Sequence, residues 1–153
     1  MFIPLWGGAA LLGTAYGAGW IGGPIGPGSV PAAMSAAGVR TSFGYCHIGG
    51  GYNCVVDGDT IWLKGEKIRI ADIDAPETHD YRCASEKELG DRATRRLHQL
   101  LDGGLIGLRP IGRDRDRYGR KLRVVLIDGE SVGDILVGEG LARPYAGGRR
   151  PWC

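Results

Sequence analysis

No Asp, Glu, Lys or Arg occurs in residues 1–39, and Arg40 stands alone until Asp57. A 153-residue chain built this way keeps nearly all its charge for its last hundred or so positions. Only that part can surround an apolar core with a charged surface, so one small folded domain is expected. Thirteen of the 28 glycines fall in the first 50 residues, which sets the front apart again. Residues 57–153 hold 18 Lys/Arg against 17 Asp/Glu. This near balance excludes a polycation and a charge-driven disordered tail.

Phe2 to Ile25 is uncharged and largely apolar, with Leu5, Trp6, Leu11, Leu12, Trp20 and Ile21. Three readings fit it. As a helix it is long enough to cross roughly 30 Å of hydrocarbon, and its Gly13/Gly17 and Gly19/Gly23 spacings suit close helix packing in a membrane. As a secretory signal it offers a small-residue cleavage region near Pro31–Ala37, although no basic residue precedes it. The third reading is a Gly/Ala-rich extension, because glycine is a poor helix former in water. The expected organisation is an anchor or signal over 1–27, a flexible linker over 28–50 and a folded domain over 51–153. An anchor or signal implies export to the periplasm or the outside of the cell, with the membrane as a partner in the first case.

Four cysteines, Cys46, Cys54, Cys83 and Cys153, behind such a segment suggest two disulfides, with three pairings open. Free thiols are the bland alternative. A metal site from Cys46, His47 and Cys54 matches no common zinc spacing. His79 and His98 have no evident partner and read as surface or half-buried residues.

Within the domain, Asn53–Val56 and Asp59–Leu63 flank an Asp57-Gly58 turn, a strong hairpin pattern. Lys64-Gly65-Glu66 makes a second turn into a strand over Lys67–Ile73, where Ile68 and Ile70 share one face and Arg69 takes the other. Pro76 stops that strand. Ser85 and Glu88 form a capping-box pattern ahead of Leu89, Ala93, Leu97, Leu100 and Leu101 at helical spacing, with Gly103-Gly104 as the stop. Leu105–Ile111 and Lys121–Ile127 follow as strands. Ser131, with Asp134 three residues on, opens a short helix, and Leu141–Tyr145 is a last extended piece. Five strands with a helix between the third and fourth is the order of an OB-type barrel, a mainly β fold with two helices.

The chemistry concentrates in a few places. Asp57 and Asp59 flank a turn, which alone is ordinary turn chemistry. If the second and third strands are neighbours, Asp59 and Asp74 converge, and paired carboxylates suit a hard divalent cation. Arg69 precedes Asp74 and can fork onto phosphate oxygens. Residues 109–123 hold seven Lys/Arg and two Asp, and Arg143, Arg149 and Arg150 follow without nearby acids. A basic run is often only a solvated face, but these arginines interleave with Tyr118 and Tyr145, as on surfaces that hold phosphates and stack bases.

Three blocks stand in order: Asp57-Gly58-Asp59-Thr60-Ile61-Trp62-Leu63, then Arg69 through Glu77, then Asp116-Arg117-Tyr118-Gly119-Arg120. Together they resemble the staphylococcal-nuclease (thermonuclease) family over roughly residues 53–145. The resemblance implies a five-stranded OB-fold barrel and a calcium-dependent nuclease that hydrolyses DNA and RNA to 3′-phosphate ends. It implies Asp59, Asp74 and the Ala75 carbonyl as calcium ligands, with alanine where the family has threonine. It implies Glu77 as the residue that activates or orients water, and Arg69 and Arg120 as phosphate-binding catalytic residues. Asp116, Arg117 and Tyr118 match positions near the base and sugar. Tyr145 falls near the family's base-stacking tyrosines with its register shifted, and the loop between Leu63 and Arg69 is shorter. The alternative is a non-catalytic OB module that binds nucleic acid or protein; relatives of that kind lack some of these residues, and here Asp59, Arg69, Asp74, Glu77 and Arg120 are all present.

Overall fold

The computed structural model describes residues 38–47 and 50–153. The segment read as anchor or signal lies outside the described residues. Ten strands and two helices follow in chain order: β1 (Val39–Arg40), β2 (Gly44–Tyr45), β3 (Cys54–Asp57), β4 (Thr60–Leu63), β5 (Glu66–Ile70), β6 (Ile73–Asp74), α1 (Ala84–Leu101), β7 (Leu105–Arg115), β8 (Lys121–Ile127), β9 (Glu130–Ser131), α2 (Val132–Gly138) and β10 (Arg143–Pro144).

The five strands legible in sequence are neighbours in the order β7-β8-β5-β4-β3. β5 and β8 run parallel and the other pairs antiparallel. This is the strand order of an OB barrel with α1 inserted between its third and fourth strands. The apolar positions of these strands meet the Ala93–Leu97–Leu101 stripe of α1 and Leu136 of α2 in one core. Ile61, Ile70, Leu97, Leu101 and Val125 are fully enclosed there.

The barrel's two open edges are met by a segment expected to be linker. β1 pairs antiparallel with β7, and β2 pairs parallel with β3. Between them Phe43 is buried in the core, its N–H donating to Asp102 Oδ1 at 3.0 Å and its carbonyl 2.8 Å from His98 Nε2. Gly103 N–H donates to Thr41 O at 3.1 Å. Residues this rich in glycine show no strand periodicity by themselves; the unpaired edges of β3 and β7 organise them.

Turn chemistry explains the hairpins. Lys64 and Gly65 have φ of 50° and 78°, the left-handed pair a two-residue hairpin loop needs. At the first hairpin the turn residues are Gly58 and Asp59 rather than Asp57 and Gly58. Gly58 is required by crowding: a Cβ there would lie 2.8 Å from the Ala93 Cβ and 2.9 Å from the Ala75 Cβ. Its absence lets the turn that carries Asp59 press against both α1 and Ala75.

Other expectations shift. β5 ends at Ile70, and Ile73–Asp74 forms a separate short strand paired with β10, which takes up part of Leu141–Tyr145. β7 runs on past Ile111 to Arg115 through a register shift after Pro110. The Ser85/Glu88 capping box does not form, because α1 already starts at Ala84 with Cys83 as an N-cap that makes no side-chain bond. Buried Glu86 instead holds the loop that leads into the helix. Its Oε2 accepts the Arg82 N–H at 2.7 Å and its Oε1 the Glu77 N–H at 3.4 Å, and a carboxylate is favoured at a helix N-terminus. Ser131 caps α2 as expected, accepting the Asp134 N–H at 3.2 Å.

The disulfides are Cys46–Cys54 and Cys83–Cys153. The first ties β2 to β3, and the second ties the C-terminus to the start of α1. With its cysteines 70 positions apart, the second stabilises the fold by about 4 kcal/mol in the chain-entropy account.

Candidate active site

The antiparallel β4–β5 hairpin sets Thr60 opposite Arg69, which brings the Asp59 turn to the end of β5. Ile70 N–H donates to Asp59 O at 2.8 Å. The chain then turns through Ala71 and Asp72 and brings Asp74 and Ala75 alongside. Asp59 Oδ2 accepts the Ala75 N–H at 3.2 Å and pairs with Arg69 Nη2 at 3.2 Å, while its Oδ1 accepts the Thr60 hydroxyl at 3.0 Å. Asp74 Oδ2 takes two bonds from Arg143, from Nε at 3.1 Å and Nη2 at 2.9 Å. Asp59, Arg69 and Asp74 are all buried.

Asp57 adds a third carboxylate, its Oδ1 accepting the Asp59 N–H at 3.1 Å. Burial, followed by the charge of Asp59, pushes the Asp57 carboxyl up to about 7. Burial is the larger cause of that shift, and the Asp59 carboxylate adds to it. The carboxylates of Asp59 and Asp74, brought together through the Ala75 backbone, are the donor type that a hard divalent cation takes. The thiol-containing groupings are not, because Cys46 and Cys54, like Cys83 and Cys153 beside Glu86, have their sulfurs in disulfides.

A stability measurement reads the Asp57 environment. Its folded pKa lies above its unfolded value, so folding favours the protonated carboxyl. That contribution is present below the unfolded pKa and is lost as pH rises through about 7. In chelator, the wild-type urea midpoint should fall relative to that of Asp57→Asn between pH 5 and pH 8. Midpoints that stay parallel would contradict this environment.

Glu77 sits just past Pro76, on backbone held from two sides. Glu86 accepts its N–H, and α1 approaches so closely at Gly90 that a Cβ there would lie 2.9 Å from the Glu77 carbonyl. The Glu77 carboxylate is ion-paired with Arg149 and 23% exposed. Asp74, Ala75 and Glu77 line a cavity of about 260 Å³ whose other wall is the tail segment Arg149–Trp152.

Arg69 is buried, its guanidinium shared between Asp59 and the Ile70 carbonyl. Arg120 lies one residue before β8. Because Arg69 pairs with Leu122 in the parallel β5–β8 register, strand alternation puts Arg120 and Arg69 on the same sheet face. Arg120 Nε bonds Asp116 Oδ2 at 2.7 Å. Burial works against ionisation of Asp116, but the side chain and N–H of Arg120 and the N–H of Tyr118 outweigh it, holding this carboxyl below the usual range. The Tyr118 ring is 69% exposed and carries Arg117 and Arg120 guanidiniums 4.8 Å and 5.5 Å from its centroid. Tyr145 is also exposed, its N–H donating to Asp72 O at 2.9 Å. The structure thus groups Asp59, Asp74, Ala75, Arg69 and Glu77, and forms a separate aromatic–arginine loop from Asp116, Arg117, Tyr118 and Arg120.

Sequence reading misses Glu86 altogether, and it names Arg143 and Arg149 as tail arginines without finding their partners. Glu86 lies inside the capping-box pattern and is masked by it. Arg143 and Arg149 find their acids 69 and 72 positions away in the chain, a separation that no local pattern reports.

Comparison with known proteins gives the family. The chain is 38% identical over 93 residues to endonuclease YncB of Bacillus subtilis (strain 168), covering 58% of this chain and 44% of that protein. It is 34% identical over 96 residues to the succinoglycan biosynthesis protein ExoI of Rhizobium meliloti (strain 1021), covering 60% and 50%. It is 32% identical over 93 residues to a thermonuclease of Staphylococcus hyicus, covering 58% and 54%. The chain thus spans about half the length of these relatives. The family model described as staphylococcal nuclease homologue matches residues 67–151, from β5 through the tail that walls the cavity. With more than half of its length matched and the strand order of an OB barrel, the chain belongs to the staphylococcal nuclease homologue family.

Proposed function

We propose that the domain is a calcium-dependent endonuclease that hydrolyses phosphodiesters of DNA and RNA with little sequence preference and leaves 3′-phosphate ends. The observation that carries this reading is that Asp74, Ala75 and Glu77 line one cavity, while Asp59, paired with Arg69, is bonded to the Ala75 N–H directly behind them. The carboxylates of Asp59 and Asp74 and the Ala75 carbonyl would hold calcium, which when bound neutralises charge on the phosphodiester. Arg69 and Arg120 sit on the face where phosphate oxygens gather added charge as water attacks. Glu77 takes the proton from that water as the new P–O bond forms, and the 5′-oxygen leaves and takes a proton from solvent water to become a hydroxyl. The exposed Tyr118 ring offers a base a stacking surface. The names of YncB and the Staphylococcus hyicus thermonuclease support this class of reaction.

The two disulfides and the charge-free front support an exported protein, working in the periplasm or outside the cell, with residues 1–27 as its address or anchor. The test is to incubate the full chain with DNA and with RNA, in calcium and in calcium plus chelator. Cleavage that stops on chelation is expected. Salt-dependent binding without cleavage would replace this reading with a non-catalytic binding module.

A further inference from the structure

Building on that nuclease reading, we propose that Arg149, delivered by the disulfide-tethered C-terminal tail, is a third substrate-binding guanidinium that contacts the phosphodiester being cleaved. The tail turns at Gly147, where φ is 85°, and lies along the cavity that holds Asp74, Ala75 and Glu77. Its backbone is pinned beside those acids. Arg143, which holds Asp74, also donates to the carbonyls of Arg150 and Pro151. The same guanidinium stacks 4.0 Å from the centroid of the Trp152 ring. Cys153 is bonded to Cys83 at the start of α1. Arg143 thus holds both Asp74 and the tail that faces it.

Arg149 is held differently from its backbone. Its side chain is 55% exposed and rests on the Glu77 carboxylate, the group assigned to water activation. A guanidinium placed there is aimed at the volume a phosphate must enter. It could act as a plug or as a phosphate ligand, and magnitude decides. An ion pair this exposed restrains its partners by no more than about fivefold, too little to shut an enzyme. A guanidinium that moves from Glu77 to a phosphate oxygen makes a charge-assisted, fork-shaped contact in a partly closed site, a stronger interaction. The move also frees Glu77 as substrate arrives. The Cys83–Cys153 tether keeps Arg149 at high local concentration, so the contact needs no costly ordering of a free tail.

The experiment uses the oxidised full chain, calcium and a single-stranded DNA oligonucleotide. Arg149→Ala should lower kcat/KM about 10- to 100-fold with an unchanged melting temperature, and Arg149→Lys should recover part of the loss. The double variant Cys83→Ser/Cys153→Ser should lose activity comparably, by releasing the tail. Unchanged or faster cleavage by Arg149→Ala would overturn the proposal, a faster rate marking a plug. A second arm measures binding of a hydrolysis-resistant phosphorothioate oligonucleotide, which Arg149→Ala should weaken about tenfold. If the wild type binds that probe but cleaves no substrate, the nuclease reading fails while the binding arm still decides the role of Arg149. If it neither binds nor cleaves, both fail.

Discussion

Replacing Glu77 with glutamine is expected to slow phosphodiester cleavage by about a thousandfold, within the range that a positioned general base contributes. The substitution keeps the shape of the side chain and leaves its backbone alone. That backbone is held by Glu86 and by the close approach of α1 at Gly90, so the loop should not move. What changes is the ability to take a proton from water. Calcium affinity should stay near its wild-type value, because the proposed ligands are Asp59, Asp74 and the Ala75 carbonyl. Calcium titration and cleavage rate, measured on one preparation, separate the two roles. A variant that cleaves at the wild-type rate would remove Glu77 from the mechanism.

The second large effect belongs to Arg69. Arg69→Lys should lower kcat by about a hundredfold, close to 3 kcal/mol in activation free energy, the size expected for one lost contact to developing charge. The conservative change is not conservative here. The guanidinium is buried and shared between Asp59 and the Ile70 carbonyl. Its planar fork makes those bonds while leaving donors for a phosphate, whereas an ammonium on a flexible stem cannot divide itself in that way. A loss of about 1–3 kcal/mol in stability should accompany the change, since a buried carboxylate loses part of its pairing. Assaying well below the melting temperature keeps the two effects apart. Equal activity in the two proteins would place the phosphate elsewhere.

Much of the framework was legible in the residues. Alternation named β3, β4, β5, β7 and β8, because each strand must turn one face to the core whatever its partner is. The Lys64-Gly65 loop was legible because two successive left-handed residues suit few side chains. The helical stripe of Ala93, Leu97 and Leu101 was legible for the same reason of period. Asp59, Arg69 and Asp74 could be singled out because they lie at adjoining strand ends, and Glu77 because the stretch from Arg69 through Glu77 resembles a block of the nuclease family.

Where the sequence pointed elsewhere, the competing force came from distant chain. Gly44-Tyr45 became a strand because β3 offered it an unpaired edge. Ser85 lost its capping role because α1 starts two residues earlier, with Cys83 as its N-cap and Glu86 turned inward to hold the Glu77–Arg82 loop. Gly58 looked like turn chemistry, yet its missing Cβ serves the contact with Ala93 and Ala75.

By itself the sequence determined the charge-free front, the strand and helix periods and the acids and arginines proposed for the chemistry, since each is written within a few neighbouring residues. Tertiary structure alone decided the disulfide pairing, the closure of the sheet edges by residues 39–45 and the placement of Arg143 on Asp74 and Arg149 on Glu77. The physical reason is range. Backbone conformation and side-chain period act over one or two turns of chain, whereas an ion pair or a disulfide between residues some 70 positions apart exists only once the core has packed and brought its ends together.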